Sequence, residues 1–295
     1  MKHKLALIIP TKDRPAEVMR LLESVKEQSV KPDEIIIVDG SGTPNAALNI
    51  EEFSGVRIKY KHILNPQLTK QRNLGLTLLD ESIEFVGFLD DDIVFCEDAI
   101  KNMLSFWKEA PQEMGATAFN IINEKRPTPL VFLKLLFYTG TSKRGVVLRS
   151  GYCTLGYPTQ ETRMVQWIGC ATVWRRKIFD EFLFDEWYEK TGLCEDLDFS
   201  YRVSKKYQLA VVADSKVLHL TIPVKERKGY NFDFGVTQIH NRLYFVKKNL
   251  ELSVGLCLWA GIGQLIENIV RGVFTLNKGY LVRAYGNVVG LFIKS

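Results

Sequence analysis

Three apolar runs, each ending in a polar cluster, constrain this chain more than any other feature. Leu5–Ile9 leads into Pro10 and Thr11-Lys12-Asp13-Arg14, Glu34–Val38 into Asp39-Gly40-Ser41-Gly42, and Phe85–Leu89 into Asp90-Asp91-Asp92. Apolar runs without polar alternation suit strands buried on both faces. Pro15–Gln28 places Val18, Leu21, Leu22 and Val25 on one helical face; Val56–Lys61 reads as a third strand and Thr69–Leu79 as a second helix. This alternation predicts an α/β fold, a mostly parallel sheet with helices on both faces. In such sheets the ligand crevice lies beyond the carboxyl ends of the strands, where all three clusters fall.

The rest of the chain is less regular. Asn123–Gln160 mixes Pro127, Pro129, Gly140, Gly145, Gly151, Gly156 and Pro158 with apolar pieces, and reads as a long irregular insertion of the kind that forms a lid or acceptor site. Trp167–Trp174 is strand-like, Glu195–Lys206 is a helix, and Leu209–Ala213 and Val217–Leu220 are two short strands. With 295 residues the chain holds one large domain or two small ones. The expected division is a main domain over 1–240, with halves 1–122 and 123–240, and a tail over 241–295.

Composition excludes several classes. At 46% hydrophobic and 25% charged the chain is neither disordered nor fibrous. Its five cysteines include no C-x-x-C pair, which argues against a disulfide framework or a zinc ribbon and for reduced thiols in the cytoplasm. The apolar run Leu5–Ile9 stops at Pro10, too short for a signal peptide. The net charge of +5 resides in the tail, where Arg242, Lys247, Lys248, Arg271, Lys278, Arg283 and Lys294 face only Glu251 and Glu267. A neutral body with a basic tail points to an anionic surface near the C-terminus and away from nucleic acid.

In that tail Val254, Leu258, Ile262, Leu265, Ile269 and Val273 form the apolar stripe of an amphipathic helix, with Gly261, Gln264, Asn268 and Arg271 opposite. The longest uncharged run, Leu252–Ile266, has fifteen residues, short of the roughly 20 a membrane span needs. Two readings stand: a helix packed on the main domain or on a second copy in a homodimer, or an interfacial helix lying on a membrane.

The clusters carry chemistry. Asp90-Asp91-Asp92 repel one another unless a cation neutralises them. An extended backbone would aim Asp90 and Asp92 the same way, toward a hard cation such as Mg²⁺ that also takes phosphate oxygens; the competing reading is a solvated turn or helix cap. Asp39 can accept hydrogen bonds from a nucleobase or ribose, or merely cap its own turn; Gly40 and Gly42 begin a G-x-G-x-x-G pattern that Asn45 breaks, so a nicotinamide cofactor is not expected. Phe88–Asp92 also resembles an aspartyl-phosphate phosphatase motif, but Ile93 and Val94 replace the residues it needs. In Glu195-Asp196-Leu197-Asp198, Asp198 can pair with Arg202 at i, i+4, leaving Glu195 and Asp196 to face a pocket, where one could act as a general base. His219 is structural or a ligand to metal or diphosphate; Arg14, Lys70 and Arg72 are surface cations or phosphate contacts.

Taken together, Ile8–Arg14, Ile35–Ser41, Gln71–Gly75, Phe88–Asp92, Gly169–Arg176 and Glu195–Arg202 resemble the family-2 glycosyltransferases of GT-A fold, from about Leu5 to Leu250. The resemblance implies an inverting transfer of a single sugar from a nucleotide-diphosphate sugar to a glycan or lipid-linked acceptor, in bacterial surface polysaccharide synthesis. It implies that Pro10, Thr11, Arg14 and Asp39 hold the nucleoside and that Arg72 meets the base or diphosphate. On this resemblance Asp90 and Asp91 would contact the donor, and Asp92, with Asp90 and His219, would hold Mn²⁺ or Mg²⁺. By the same resemblance Asp196 would be the catalytic base and Glu195 would position it or the acceptor. Residues 1–122 become the nucleotide-sugar half and 123–240 the acceptor half. Lys12 and Asp13 depart from the usual pattern, and no Q-x-x-R-W follows Arg202, which favours single addition over polymer synthesis. Alternatives are a nucleotidyltransferase, which would want a Gly-rich triphosphate loop that Thr11–Pro15 lacks, or a non-catalytic glycan-binding scaffold.

Overall fold

The computed structural model describes residues 3–44, 55–124, 131–189, 192–220 and 230–293; Asn45 and Lys294 lie outside them. The chain divides into two compact units, Met1–Lys125 with Gly156–Ile222, and Arg126–Leu155 with Pro223–Ser295.

The first unit is built on one mixed sheet. Strands β1 (Leu5–Thr11), β2 (Glu34–Asp39), β3 (Arg57–His62) and β4 (Phe85–Leu89) are parallel in the order β3-β2-β1-β4. β1, β2 and β4 are buried along their whole length, as their unbroken apolar sequence requires, whereas β3 is the charged, partly exposed edge. The sheet continues through β6 (Met114–Ile121), β8 (Ala171–Arg175) and β9 (Gln208–His219), in the order β4-β8-β6-β9, with short β5 (Ile93–Phe95) and β7 (Arg163–Val165) both against β9. β8 runs antiparallel to β4 and β6, while β6 and β9 are parallel.

Helices α1 (Pro15–Lys26), α2 (Leu68–Thr77), α3 (Ala99–Glu109) and α5 (Glu195–Ser204) pack around this sheet. Pro15 opens α1, where a missing N–H costs nothing, and Val18, Leu21, Leu22 and Val25 are buried as their spacing predicts. Asp98 starts α3 at φ +56°, a left-handed conformation that Asp tolerates. On α5, the Phe199 ring stacks on Phe184 at 4.1 Å and meets Trp174 of β8 edge-on at 4.8 Å.

One strand stands where two short ones are expected. β9 runs unbroken through Asp214-Ser215-Lys216, because its register against β6 shifts there as a bulge. The polar groups of the bulge are satisfied by α3: Ser215 Oγ donates to Ala99 O at 2.7 Å and Asn102 Nδ2 to Asp214 O at 2.8 Å. β8 begins only at Ala171, after Cys170 turns the chain at φ +67°.

The second unit is helical: α4 (Val131–Leu136), α6 (Tyr230–Lys248), α7 (Val254–Phe274) and α8 (Lys278–Phe292). The insertion is therefore not wholly irregular, since it contributes α4. On α7 the apolar stripe does not face the other helices of its own unit. Ile262, Ile269 and Val273 are 43%, 43% and 58% exposed, whereas Ala260, Gly261, Gly263, Asn268 and Gly272 are buried. Small residues let the helix backbones approach closely. A Cβ at Gly235 of α6 would lie 2.2 Å from Arg283 O, and one at Gly286 of α8 would lie 2.3 Å from Phe232 O. Asn268 donates to Asn287 Oδ1 at 2.7 Å, and Asn287 to Gly235 O at 2.8 Å, so the interior is glycine-packed and amide-linked. Among the described residues no helix is long and apolar enough to cross a membrane. Among the described residues no disulfide links the cysteines.

Candidate active site

The polar clusters meet at one edge of the first unit's sheet. β1 and β4 are in register, so Thr11 and the aspartates that follow Leu89 end side by side. Asp90 N donates to Cys170 O at the start of β8 at 2.9 Å. Ile93 of β5 pairs with His219 of β9, which brings that histidine beside Asp92. The aspartates occupy a turn closed by Ile93 N to Asp90 O at 3.2 Å, not the extended segment expected. That turn separates their roles.

Asp91 faces inward. Its Oδ2 accepts from Thr11 Oγ1 at 2.7 Å and its Oδ1 pairs with Arg14 Nη1 at 2.7 Å. Burial pushes its pKa up to about 7, opposed by Arg14 and Thr11. Asp92 accepts from Arg14 Nη2 at 3.0 Å; burial alone would raise its pKa, but His219 and Arg14 outweigh burial and hold it low. The Asp92 contact in turn raises the His219 pKa, against burial. His219 Nε2 lies 3.1 Å from Asp92 Oδ1, yet that buried oxygen receives no well-formed hydrogen bond.

Donor atoms, one each from Asp90, Asp92 and His219, lie within 4.8 Å of one another. An octahedral cation with ligands at about 2.1 Å sets neighbouring donors about 3 Å apart. The Asp92–His219 spacing fits that figure, and the orphaned Asp92 oxygen is left with a lone pair to give. Two carboxylates and an imidazole are a donor set for a divalent cation, so Asp90, Asp92 and His219 fit a metal site.

Arg72 organises the other side. It is 2% exposed on α2 and sits over the Phe184 ring at 5.1 Å. Its Nη1 donates to Asp196 Oδ1 at 2.5 Å and to Glu195 Oε1 at 3.2 Å, and its Nη2 to Asp90 Oδ1 at 3.3 Å. Burial disfavours the guanidinium charge, but Asp196, Glu195 and Asp90 outweigh it and hold the charge firmly. Burial, and then repulsion from Asp196, drive the Glu195 pKa well up. Burial also raises Asp90, although 30% of its side-chain surface remains open.

Asp196 lies in the first turn of α5, where a helix N-terminus favours carboxylates. Its Oδ2 accepts from Cys170 N at 3.4 Å, and Ser200 Oγ, which donates to Asp196 O at 2.6 Å, accepts from Ile168 N at 3.2 Å. The 168–170 loop is thus strapped to the first turn of α5. Asp198 pairs with Arg202 at 2.9 Å, as the i, i+4 spacing predicts.

Asp39 is fully buried at the end of β2. Its Oδ1 accepts from Ser41 N at 2.8 Å and its Oδ2 from Tyr60 OH at 2.6 Å. Pro10 is buried in β1 beside Val38. Gln71 Nε2 ties the two strand ends together, donating to Thr11 O at 2.9 Å and Val38 O at 2.8 Å. The sequence motifs did not single out Tyr60 or Phe184: Tyr60 lies on a charged edge strand and Phe184 looks like ordinary core. Gly169 begins one of the matching pieces, but its close approach to Asp196 is visible only in the structure.

The family model for glycosyl transferase family 2 matches residues 6–183. An uncharacterized glycosyltransferase of Rickettsia conorii is 32% identical over 127 residues, 41% of this chain and 20% of that protein, so the chain spans about a fifth of the first curated relatives it matches. Poly(ribitol-phosphate) beta-N-acetylglucosaminyltransferase TarP of Staphylococcus aureus is 22% identical over 82% of this chain and 72% of its own length. The O-antigen chain rhamnosyltransferase RfbN of Salmonella typhimurium is 26% identical over 79% and 72%. Among solved structures, S. aureus TarS 1–349 in complex with UDP superimposes with a TM-score of 0.54 at 16% identity, covering 99% of this chain and 75% of that one, a likeness of fold. By the extent of the family match, the chain belongs to glycosyl transferase family 2.

Proposed function

We infer that the protein transfers one sugar from a nucleotide-diphosphate sugar to a hydroxyl of a glycan or lipid-linked acceptor, with inversion at the anomeric carbon, in surface polysaccharide synthesis. One observation carries the reading: a single buried guanidinium, Arg72, joins Asp196 and Glu195 on one side to Asp90 on the other. A candidate base and a candidate diphosphate site thereby face each other across one rigid group. Relatives named for poly(ribitol-phosphate) glycosylation, O-antigen chain synthesis and minor teichoic acid biosynthesis support the setting.

Asp196, with 22% of its side-chain surface open, accepts the proton of the acceptor hydroxyl as that oxygen attacks; such help contributes roughly 10²–10⁴-fold. Its second oxygen rests on Cys170 N and its first on Arg72, which fixes the direction of approach. Glu195, its pKa driven up by burial, sits on the same guanidinium and orients it. Thr11, Arg14 and Asp91 brace the aspartate turn, and Asp39 and Pro10 line the strand ends expected to meet the nucleoside. Asp90, Asp92 and His219 would hold Mn²⁺ or Mg²⁺, which when bound neutralises charge growing on the departing diphosphate. A panel of nucleotide sugars incubated with Mn²⁺ tests this. Release of a nucleoside diphosphate that Asp196→Asn abolishes is expected; unchanged release by that variant removes Asp196 from the role.

The same inference places the second unit against a membrane surface. Leu258, Ile262, Ile269 and Val273 line one side of α7, and Phe274 and Leu276 follow at 83% and 88% exposure, beside exposed Lys278. An apolar face with flanking cations suits the headgroup boundary of an anionic leaflet.

A further inference from the structure

The second unit also contains a polar cleft of about 350 Å³ on the side of α7 opposite its exposed stripe, lined from α4, α6, α7 and α8. This volume lies within the ~300–1,000 Å³ of small-molecule sites. Three cations converge on it: Lys134, Arg271 and Arg283, all half-buried. Glu267 is the one carboxylate among the lining residues, and Arg271 takes it at 2.7 Å. Arg283 spends its Nε on the neutral Asn231 Oδ1 at 2.7 Å, with its guanidinium 4.8 Å from the Phe234 centroid and 5.3 Å from that of Tyr280. Stacking of this kind fixes the plane of the fork and leaves its Nη edge for an oxyanion. Among the described residues no carboxylate pairs with Lys134 or Arg283. Half-buried like charges that converge without compensation call for an anion.

The remaining lining identifies what carries the anion. Gln264 and Gln238 present amides, which both donate and accept as sugar hydroxyls require; Gln238 Oε1 accepts from Asn287 Nδ2 at 3.2 Å, which leaves its NH₂ to donate. Phe234 and Tyr280 complete the lining.

We propose that this cleft binds a phosphorylated saccharide, with Arg283 and Lys134 on the phosphate and Gln238 and Gln264 on the sugar hydroxyls. That such a ligand is the class of the acceptor rests on the transfer reading above; the binding itself does not.

The test is calorimetric titration of the full chain with glucose 1-phosphate, in EDTA and without nucleotide, beside separate titrations with glucose and with inorganic phosphate. Glucose 1-phosphate is expected to bind more tightly than either, and Arg283→Gln and Lys134→Gln each to weaken it at least tenfold, while Asp92→Asn leaves it unchanged. Lys134 lies on a short helix of the unit's surface, so its variant guards against misfolding of the other, and thermal melts confirm both. Binding that is absent, or as tight in both variants as in the wild type, or matched by inorganic phosphate alone, overturns the proposal. Arg283-dependent binding to phosphatidylglycerol vesicles without binding of glucose 1-phosphate assigns the cleft to a lipid headgroup and overturns it equally. Asp196→Asn separates the two readings: transfer disappears while the titration stays the same.

Discussion

Gly169 and Asp196 touch. A Cβ placed on Gly169 would lie 3.0 Å from Asp196 Oδ2 and 3.2 Å from its Cβ. The backbone at Gly169 has no need of a left-handed conformation, so alanine there tests space alone. Gly169→Ala must push the Asp196 carboxylate aside by a few tenths of an ångström. Since misplacement of reacting groups by about 1 Å can cost 10²-fold, a rate loss of roughly tenfold is expected. Nucleotide affinity, measured by titration, should hold. Equal turnover by wild type and variant would mean that the position of Asp196 does not matter.

Arg72 offers the complementary test. Its side chain compensates three carboxylates in a buried setting, so Arg72→Met leaves them facing one another. Removing one partner of a buried ion pair costs about 3–5 kcal/mol. Arg72→Lys keeps the charge but loses the fork that spans Asp90 and Asp196, and should fall between. Urea unfolding of the three proteins gives the order; a methionine variant as stable as wild type would show that the carboxylates take up protons and do not need the guanidinium.

The metal site predicts a stability effect. At 100 times its dissociation constant a ligand of the native state adds about 2.7 kcal/mol. Mn²⁺ should raise the melting temperature of the wild type, EDTA should reverse the rise, and neither Asp92→Asn nor His219→Ala should show it. Retention of the full shift by both variants would place the ion elsewhere.

How much of this was legible in the sequence depended on distance along the chain. The strand ends and their clusters were readable because an apolar run and its exit are local, and so was the Asp198–Arg202 pair at one helical turn. The Arg72 hub was not: its partners lie 18, 123 and 124 residues away, and no local pattern says which of several cations a carboxylate will meet. The stripe on α7 was readable as a stripe, but periodicity alone does not say which side meets protein. The glycines and Asn268 opposite were the clue, since only they permit the close approach of α6 and α8. At β9, three polar residues looked like a strand break because their partners on α3 are more than a hundred residues distant.

Glu195 carries a pH signature. Its folded-state pKa is driven well above the usual carboxylate value, first by burial and then by Asp196. The native state therefore holds a proton that the unfolded chain releases near pH 4.3. Stability from this group is complete below that pH and declines as pH rises toward the folded value. Glu195→Gln copies the protonated form, so its unfolding free energy should fall less between pH 5 and pH 8 than that of the wild type. Parallel profiles for the two proteins would show that Glu195 is charged in the native state.

The inverted helix makes the last prediction, because it reverses the usual rule for an amphipathic segment. Ile262→Gln and Val273→Gln remove exposed apolar side chains and should change stability by no more than about 0.5 kcal/mol, the range for surface positions. Asn268→Leu, conventionally a gain in hydrophobicity, takes away the donor to Asn287 and puts a larger side chain into a glycine-packed interior. Overpacking of this kind costs about 1–3 kcal/mol. The glutamine pair should sediment less with phosphatidylglycerol vesicles than the wild type does, and Asn268→Leu, where folded, should sediment as well as wild type. Destabilisation by the glutamines together with unchanged sedimentation would mean that the stripe is covered by protein, as in a dimer.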